Sequence, residues 1–258
     1  MSRRLIGLAW GLLAMSVGPA AGAGQGAAPT ARFREAGDAV RAGDYPKATA
    51  IYRELATSGV ESGSLYWNWA QAASARGATG EALWALLRGR EVEPGDGAVR
   101  RDLERLREAA NLDAAELAPE PLAALALLSR QFHFGLAALV ALGLSIVLHG
   151  GARLARRDRQ LTPVAWAVLA AGLGLAAAAL AGSFARPTGV VLRRSAPLLE
   201  SASPTAESVG SLREGEVVPI LSESAGYVRV EDSSGARGWA SAEDVGRLDR
   251  PPHALPAR

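Results

Sequence analysis

The side chains able to do covalent or acid–base chemistry are few and scattered. The 258-residue chain has no cysteine. This excludes thiolate nucleophiles, cysteine-ligated metals and a disulfide framework, so each domain must be held by its apolar core. The three histidines are His133, His149 and His253. Two of them border an apolar stretch and the third sits in the C-terminal tail. No G-x-S-x-G, phosphate loop or H-E-x-x-H occurs. Glu91 and Glu93 are two positions apart, which on a helix turns them to different sides and excludes an acid/base pair. The expectation is a non-enzymatic protein with no cofactor and no metal.

Binding chemistry is better represented. Asn68 and Gln71, with Trp67 beside them, follow a helical spacing, and Phe33, Arg34 and Arg41 fall in a comparable segment upstream. An amide near a guanidinium can clamp the backbone or the terminal carboxylate of a peptide. These six residues form the expected peptide-binding groove. Further on, Tyr227 and Trp239 lie in strand-like sequence. They belong either to the core of a small β-domain or to a rim on which a ligand stacks, with the core preferred for Trp239.

Two apolar stretches divide these segments. Residues 131–152 and 160–185 contain no Asp, Glu, Lys or Arg, and Arg153, Arg156, Arg157 and Arg159 cluster around the gap between them. About 20 uncharged apolar residues suffice to cross a bilayer as a helix. Spans are expected at 131–150 and 162–185, joined by a basic cytoplasmic loop at 151–161. Thr162-Pro163 would start the second span as N-cap and first helical residue. Ala170, Gly174, Ala178 and Gly182 recur every four residues, a small-residue stripe suited to close packing on the first span or on a partner's helix. His133 and His149 fall near the span ends and meet no ionisable residue in the second span, so they read as interfacial. At the N-terminus, Arg3-Arg4, an uncharged run from Leu5 to Val17 and Ala21-Gly-Ala23 form a signal peptide, residues 1–23. Both soluble parts are then periplasmic on a two-pass inner-membrane protein, with the lipid bilayer as a partner.

The segment before the hairpin is helical. Phe33 to Tyr52 aligns with Trp67 to Leu86 at a spacing of 34, matching Gly43 with Gly77, Ala48 with Ala82 and Tyr52 with Leu86. Glycine turns the chain between paired helices, alanine lets them approach, and the large residue four positions on fills the adjoining space. This is the tetratricopeptide period. Repeats are expected at 30–62 and 63–96, with Thr79 and Asp96 as N-caps and a capping helix at 97–110 carrying Val99, Leu103 and Leu106. Residues 111–130 are the linker, with Leu122–Leu128 leading into the first span as a continuous or kinked rod. After Pro187, short β-rich runs separated by Gly/Ser turns indicate a small all-β barrel over 188–248, and a disordered tail at 249–258. Residues 27–118 hold 12 basic against 14 acidic side chains, and 188–248 hold 6 against 9. Neither domain presents the basic face that nucleic acid requires.

The run Ser-Ala-Pro197, Glu214-Gly-Glu-Val-Val, Tyr227-Val-Arg-Val and Gly238-Trp is similar to a bacterial SH3-like domain. The full order of signal peptide, repeat pair, hairpin and β-domain, with Leu65-Tyr-Trp-Asn68-Trp-Ala through Pro94-Gly-Asp96, resembles the BatE family of the Bat (Bacteroides aerotolerance) operon. That resemblance implies a scaffold acting with von Willebrand A-domain Bat proteins and a MoxR-type ATPase in envelope stress. The alternative is a cell-wall protein whose SH3-like domain holds peptidoglycan.

Overall fold

A computed structural model describes residues 27–112, 121–154 and 158–250. The expected signal peptide, residues 251–258 of the tail, residues 113–120 of the linker and the arginines at 156 and 157 lie outside the described residues.

Five helices come first: α1 (Ala27–Arg41), α2 (Tyr45–Thr57), α3 (Gly63–Ala75), α4 (Thr79–Val92) and α5 (Gly97–Ala109). Their turns repeat atom for atom. Gly43 and Gly77 both have left-handed φ, 76° and 77°. After α1, Gly43 N donates to Val40 O and Asp44 N to Ala39 O; after α3, Gly77 N donates to Ser74 O and Ala78 N to Ala73 O. The same pair closes α5, where Asn111 (φ 55°) donates to Glu108 O and Leu112 to Arg107 O. Asparagine tolerates the left-handed region better than other side-chain-bearing residues. The N-caps recur too: Ser62 Oγ accepts from Leu65 N at 3.1 Å and Asp96 Oδ1 from Ala98 N at 2.7 Å. The same turn closes α2 at Gly59 (φ 87°), where Gly59 N donates to Ala56 O and Val60 N to Leu55 O; what repeats at 34 residues is its position at Gly43, Gly77 and Asn111, after α1, α3 and α5. Ala48 and Ala82 are fully buried, with Tyr52 and Leu86 beside them in one core.

Thr79 does not cap α4. It is the first helical residue, and Ala78 at the cap position offers no side-chain acceptor. The orphan amide of Gly80 instead donates to Glu214 Oε1 at 2.9 Å, from the other side of the protein.

Glu214 lies in a turn of a sheet domain of seven strands, between the third and fourth: β1 (Thr188–Val191), β2 (Ser195–Leu199), β3 (Ser208–Arg213), β4 (Val217–Ser224), β5 (Tyr227–Glu231), β6 (Arg237–Ser241) and β7 (Val245–Arg247). Their order is β3-β2-β6-β5-β4-β1-β7, with every pair antiparallel. Strand alternation turns Val191, Leu198, Leu212, Val218, Val228, Val230 and Ala240 onto one core. Glu216 is buried and accepts from Ser233 N at 2.9 Å and Arg213 N at 3.1 Å, tying two turns together.

The sheet and the helices share an interface centred on α4. Gly80 to Gly89 are buried without a break, because α3 and α5 cover one side and the sheet the other. Trp84 lies edge-on to Trp69 and Tyr66, with centroids 5.2 and 5.8 Å away, and donates from Nε1 to Arg247 O at 2.7 Å. Arg88 donates to Leu248 O at 2.5 Å and holds both carboxylate oxygens of Glu61. Val190 and Leu248 of the sheet domain belong to the helical core, whereas the next residue of β1, Val191, belongs to the sheet's own.

Between the two domains run α6 (Pro121–Gln131), α7 (Phe134–Leu154) and α8 (Asp158–Ser183). Helices α7 and α8 are long and apolar enough to cross a membrane. The expected linker thus contains a helix, and the first span is displaced, at 134–154. His133, at φ 52°, separates α6 from α7. Gly182 meets Ala126 of α6, Gly172 meets Ala138 and Ala141 of α7, and Ser145 donates to Ala165 O, so α6 and α7 run as an interrupted rod antiparallel to α8. Helix α8 begins at Asp158 rather than at Thr162, which leaves Pro163 just inside the helix. Of the expected small-residue stripe Gly182 is buried against Ala126 and Ala178 is half-buried, whereas Ala170 and Gly174 are exposed, because 3.6 residues per turn carries a four-residue stripe around the helix.

A side chain at Gly246 would place Cβ 2.6 Å from Trp84 Cδ1. Gly246→Val should therefore destabilise the soluble part by about 1–3 kcal/mol, the range for overpacking. Thermal unfolding followed by far-UV circular dichroism should show helical and sheet signals falling together at a lower temperature. A lowered sheet transition with unchanged helices would reject the shared core.

Candidate functional site

On the outer face of the sheet, the alternation that buries Val228, Val230, Gly238 and Ala240 exposes their neighbours. Arg229 of β5 and Leu199 of β2 both pair with Trp239 of β6, and Tyr227 pairs with Ser241. Leu199, Trp239, Arg229 and Tyr227 thus share one face over three adjacent strands. Arg229 is exposed and the other three are partly exposed. Trp239, expected in the core, lies on this rim with Tyr227, because the core side of β6 is taken by Gly238 and Ala240. Gly238 is required there: a Cβ would sit 2.5 Å from Leu198 Cγ. The face offers flat aromatic surface and one cation, able to stack on a ligand and to pair with an anionic group. Glu231 and Arg237 pair across the strands at 2.7 Å and border it.

The expected groove residues are dispersed. Phe33 packs edge-on to Tyr52 at 5.7 Å and joins the helical core. Arg34 is exposed, and Arg41 pairs with Asp38 one turn back. Trp67 Nε1 and Gln71 Nε2 both donate to Asp102 Oδ2 of α5, at 2.7 and 2.8 Å, and Arg105 holds the other oxygen at 3.0 Å. Asn68 donates back to Ser64 O of its own helix at 2.8 Å. Trp67 and Gln71 therefore couple α3 to α5, while Arg34 and Arg41 keep exposed side chains. A cleft of about 230 Å³ lies beside this coupling, between Gln71, Ser74, Leu86 and Asp102.

Buried charges knit the helices. Glu81 is 5% exposed and receives Trp69 Nε1 at 2.7 Å, Arg53 at 3.2 Å and Arg76, while Arg53 also lies over the Trp69 ring. At the end of α4, Glu91 is held above the usual glutamate range by burial, against the opposing pull of Arg130, Arg88 and Arg90. Among the described residues no group of three His, Asp or Glu side chains could hold a metal.

Residues 194–246 match the bacterial SH3 domain. β1 lies before the matched residues. No curated protein and no solved structure matches the chain. The SH3 match supports a protein-interaction or cell-wall-binding role, and it covers the rim with Tyr227, Arg229 and Trp239. Arg229 was missed because its importance lies in its register with Trp239. The Val-Arg-Val alternation was the available signal. Glu214, Arg88 and Asp102 gave no sequence signal, since their partners are distant.

Because the fold favours neutral Glu91, its contribution to stability is complete below the ordinary glutamate pKa and is lost as pH rises through the raised value. Glu91→Gln, permanently neutral, should gain stability relative to the unsubstituted protein between pH 4 and pH 7. Parallel melting-temperature profiles for the two proteins over that interval would contradict this.

Proposed function

We propose that the chain is a non-enzymatic, membrane-anchored scaffold of the bacterial cell envelope that binds protein partners. The observation that carries this reading is the unbroken burial of Gly80 to Gly89 of α4 between the helical array and the sheet domain. It makes the two soluble parts one unit whose open faces keep a constant relation. The 34-residue spacing of the turns at Gly43, Gly77 and Asn111 favours a tetratricopeptide array, whose first helices α1, α3 and α5 line a peptide groove. Arg34, Arg41, Asn68 and Gln71 are the polar groups this reading assigns to the groove. Helices α7 and α8 leave Leu139, Val140, Ile146, Val147 and Leu173 more than half exposed, the surface expected of helices in lipid. On this reading both soluble domains are periplasmic, on a two-pass inner-membrane protein. The BatE-like order of elements points to von Willebrand A-domain membrane proteins as partners in envelope stress.

The exposed Arg229 beside the partly exposed Tyr227 and Trp239 favours a second reading, in which the SH3 domain holds peptidoglycan.

Reporter fusions at residues 115 and 250 should be active in the periplasm and one at 157 silent; any other pattern overturns the topology. Trp239→Ala in the full chain separates the two functional readings. Loss of sedimentation with purified sacculi, by about tenfold, supports cell-wall binding. Co-purified membrane partners that persist in Trp239→Ala and disappear in Arg41→Ala with Asn68→Ala support the groove. Partners indifferent to all three changes would remove the scaffold proposal.

A further inference from the structure

A cavity of about 250 Å³ opens where all parts of the protein converge. Its walls are the C-terminal end of α4, the face of α6, the end of α8 with the following Arg186-Pro187, and the residues after β7. One wall is apolar and formed of small residues, Ala123, Ala126 and Gly182, with Leu127. The rim carries Arg130 and Arg186, facing Glu91 and Asp249.

Each acid also meets a second arginine, although Arg88 is held mainly by Glu61 and Arg247 is shared with Glu223. Asp249 takes Arg247 Nε at 2.8 Å and Nη2 at 2.5 Å, and its carboxyl is held below the usual range by that pairing. Glu91 has Arg88 at 3.4 Å. Arg130 reaches Glu91 only at 3.8 Å, near the limit of an ion pair, and its side chain is 58% exposed. Arg186 is exposed, and no hydrogen bond or ion pair engages it among the described residues. Arg186 is thus unengaged, and Arg130 is only loosely held, at the mouth of a cavity with an apolar inner wall. Its position is the ends of α6 and α8, the level at which a bilayer's headgroups would lie if α7 and α8 span it.

We propose that this cavity binds the phosphate headgroup of an anionic phospholipid through Arg130 and Arg186, with acyl chain lying against Ala123, Ala126 and Leu127. A guanidinium presents parallel N–H donors that match phosphate oxygens. The lipid bridges α6, α8 and the SH3 domain, and so sets the level and tilt of the soluble unit above the membrane. The inference rests on the membrane-anchored reading.

The test uses the full chain in nanodiscs of equal phosphatidylcholine and phosphatidylglycerol, with retained lipids counted by native mass spectrometry. The unsubstituted protein should retain phosphatidylglycerol preferentially. Arg130→Gln with Arg186→Gln should reduce that preference about 25-fold, each cation near a headgroup contributing roughly fivefold. Lys47→Gln, which removes an exposed charge on α2, should leave it unchanged. No preference in the unsubstituted protein, an intact preference in the double variant, or equal displacement by millimolar inorganic phosphate would overturn the proposal. Alkaline carbonate extraction of native membranes reports the anchor separately. Protein released by carbonate defeats the membrane reading itself, whereas protein that stays embedded without a lipid preference defeats only this site.

Discussion

The structure depends on α4 having no solvent side. Its run Ala82-Leu-Trp-Ala-Leu-Leu87 is apolar around the whole helix and cannot be satisfied by the helical neighbours alone. α3 and α5 take one side. The sheet domain takes the other, through Val190 and Leu248 and through the close approach of Gly215 and Gly246 to Leu83 and Trp84. Gly215 is doubly constrained: its φ of 85° is left-handed, and a Cβ would lie 2.5 Å from Leu83 Cδ1. Burying side chains of this size stabilises by about 1.5–3 kcal/mol each, so this contact outweighs any single surface ion pair.

The polar groups at the interface complete what each partner lacks. Helix α4 has no cap of its own, and Glu214 supplies the acceptor for Gly80. The carbonyls after β7 have no further strand to pair with at Arg247 and Leu248, and Trp84 and Arg88 supply the donors. An unmet buried donor or acceptor costs about 1–3 kcal/mol. These bonds therefore define how the sheet sits on the helix as much as they strengthen it. Glu61 and Tyr66 hold Arg88 in place, and burial together with Glu61 pushes the Tyr66 phenol well above its usual range, so it remains a donor to the carboxylate.

This junction changes the role of the hairpin. A transmembrane pair flanked by flexible linkers would merely tether two independent modules. Here α6 packs along α8, Arg130 faces Glu91, and α8 leads within a few residues into β1, which is itself in the shared core. The hairpin packs directly onto the rest of the protein. Its proposed lipid site lies at that contact.

The residues by themselves determined whatever depends on local chemistry. Gly43 and Gly77 announced the turns of the helical pairs because few other residues adopt that backbone. Uninterrupted apolar length announced α7 and α8, and the Val-Arg-Val alternation announced a strand. The third turn at Asn111 escaped because asparagine is also an ordinary surface residue. Only the tertiary structure decided which side of β6 faces inward, since alternation sorts residues into two faces without naming the core. It alone decided that Trp67 and Gln71 meet Asp102 and that Phe33 packs on Tyr52. It alone brought Glu214 to an amide 134 residues earlier in the chain, a pairing with no local trace because it is set by two domains burying their apolar surface on one helix.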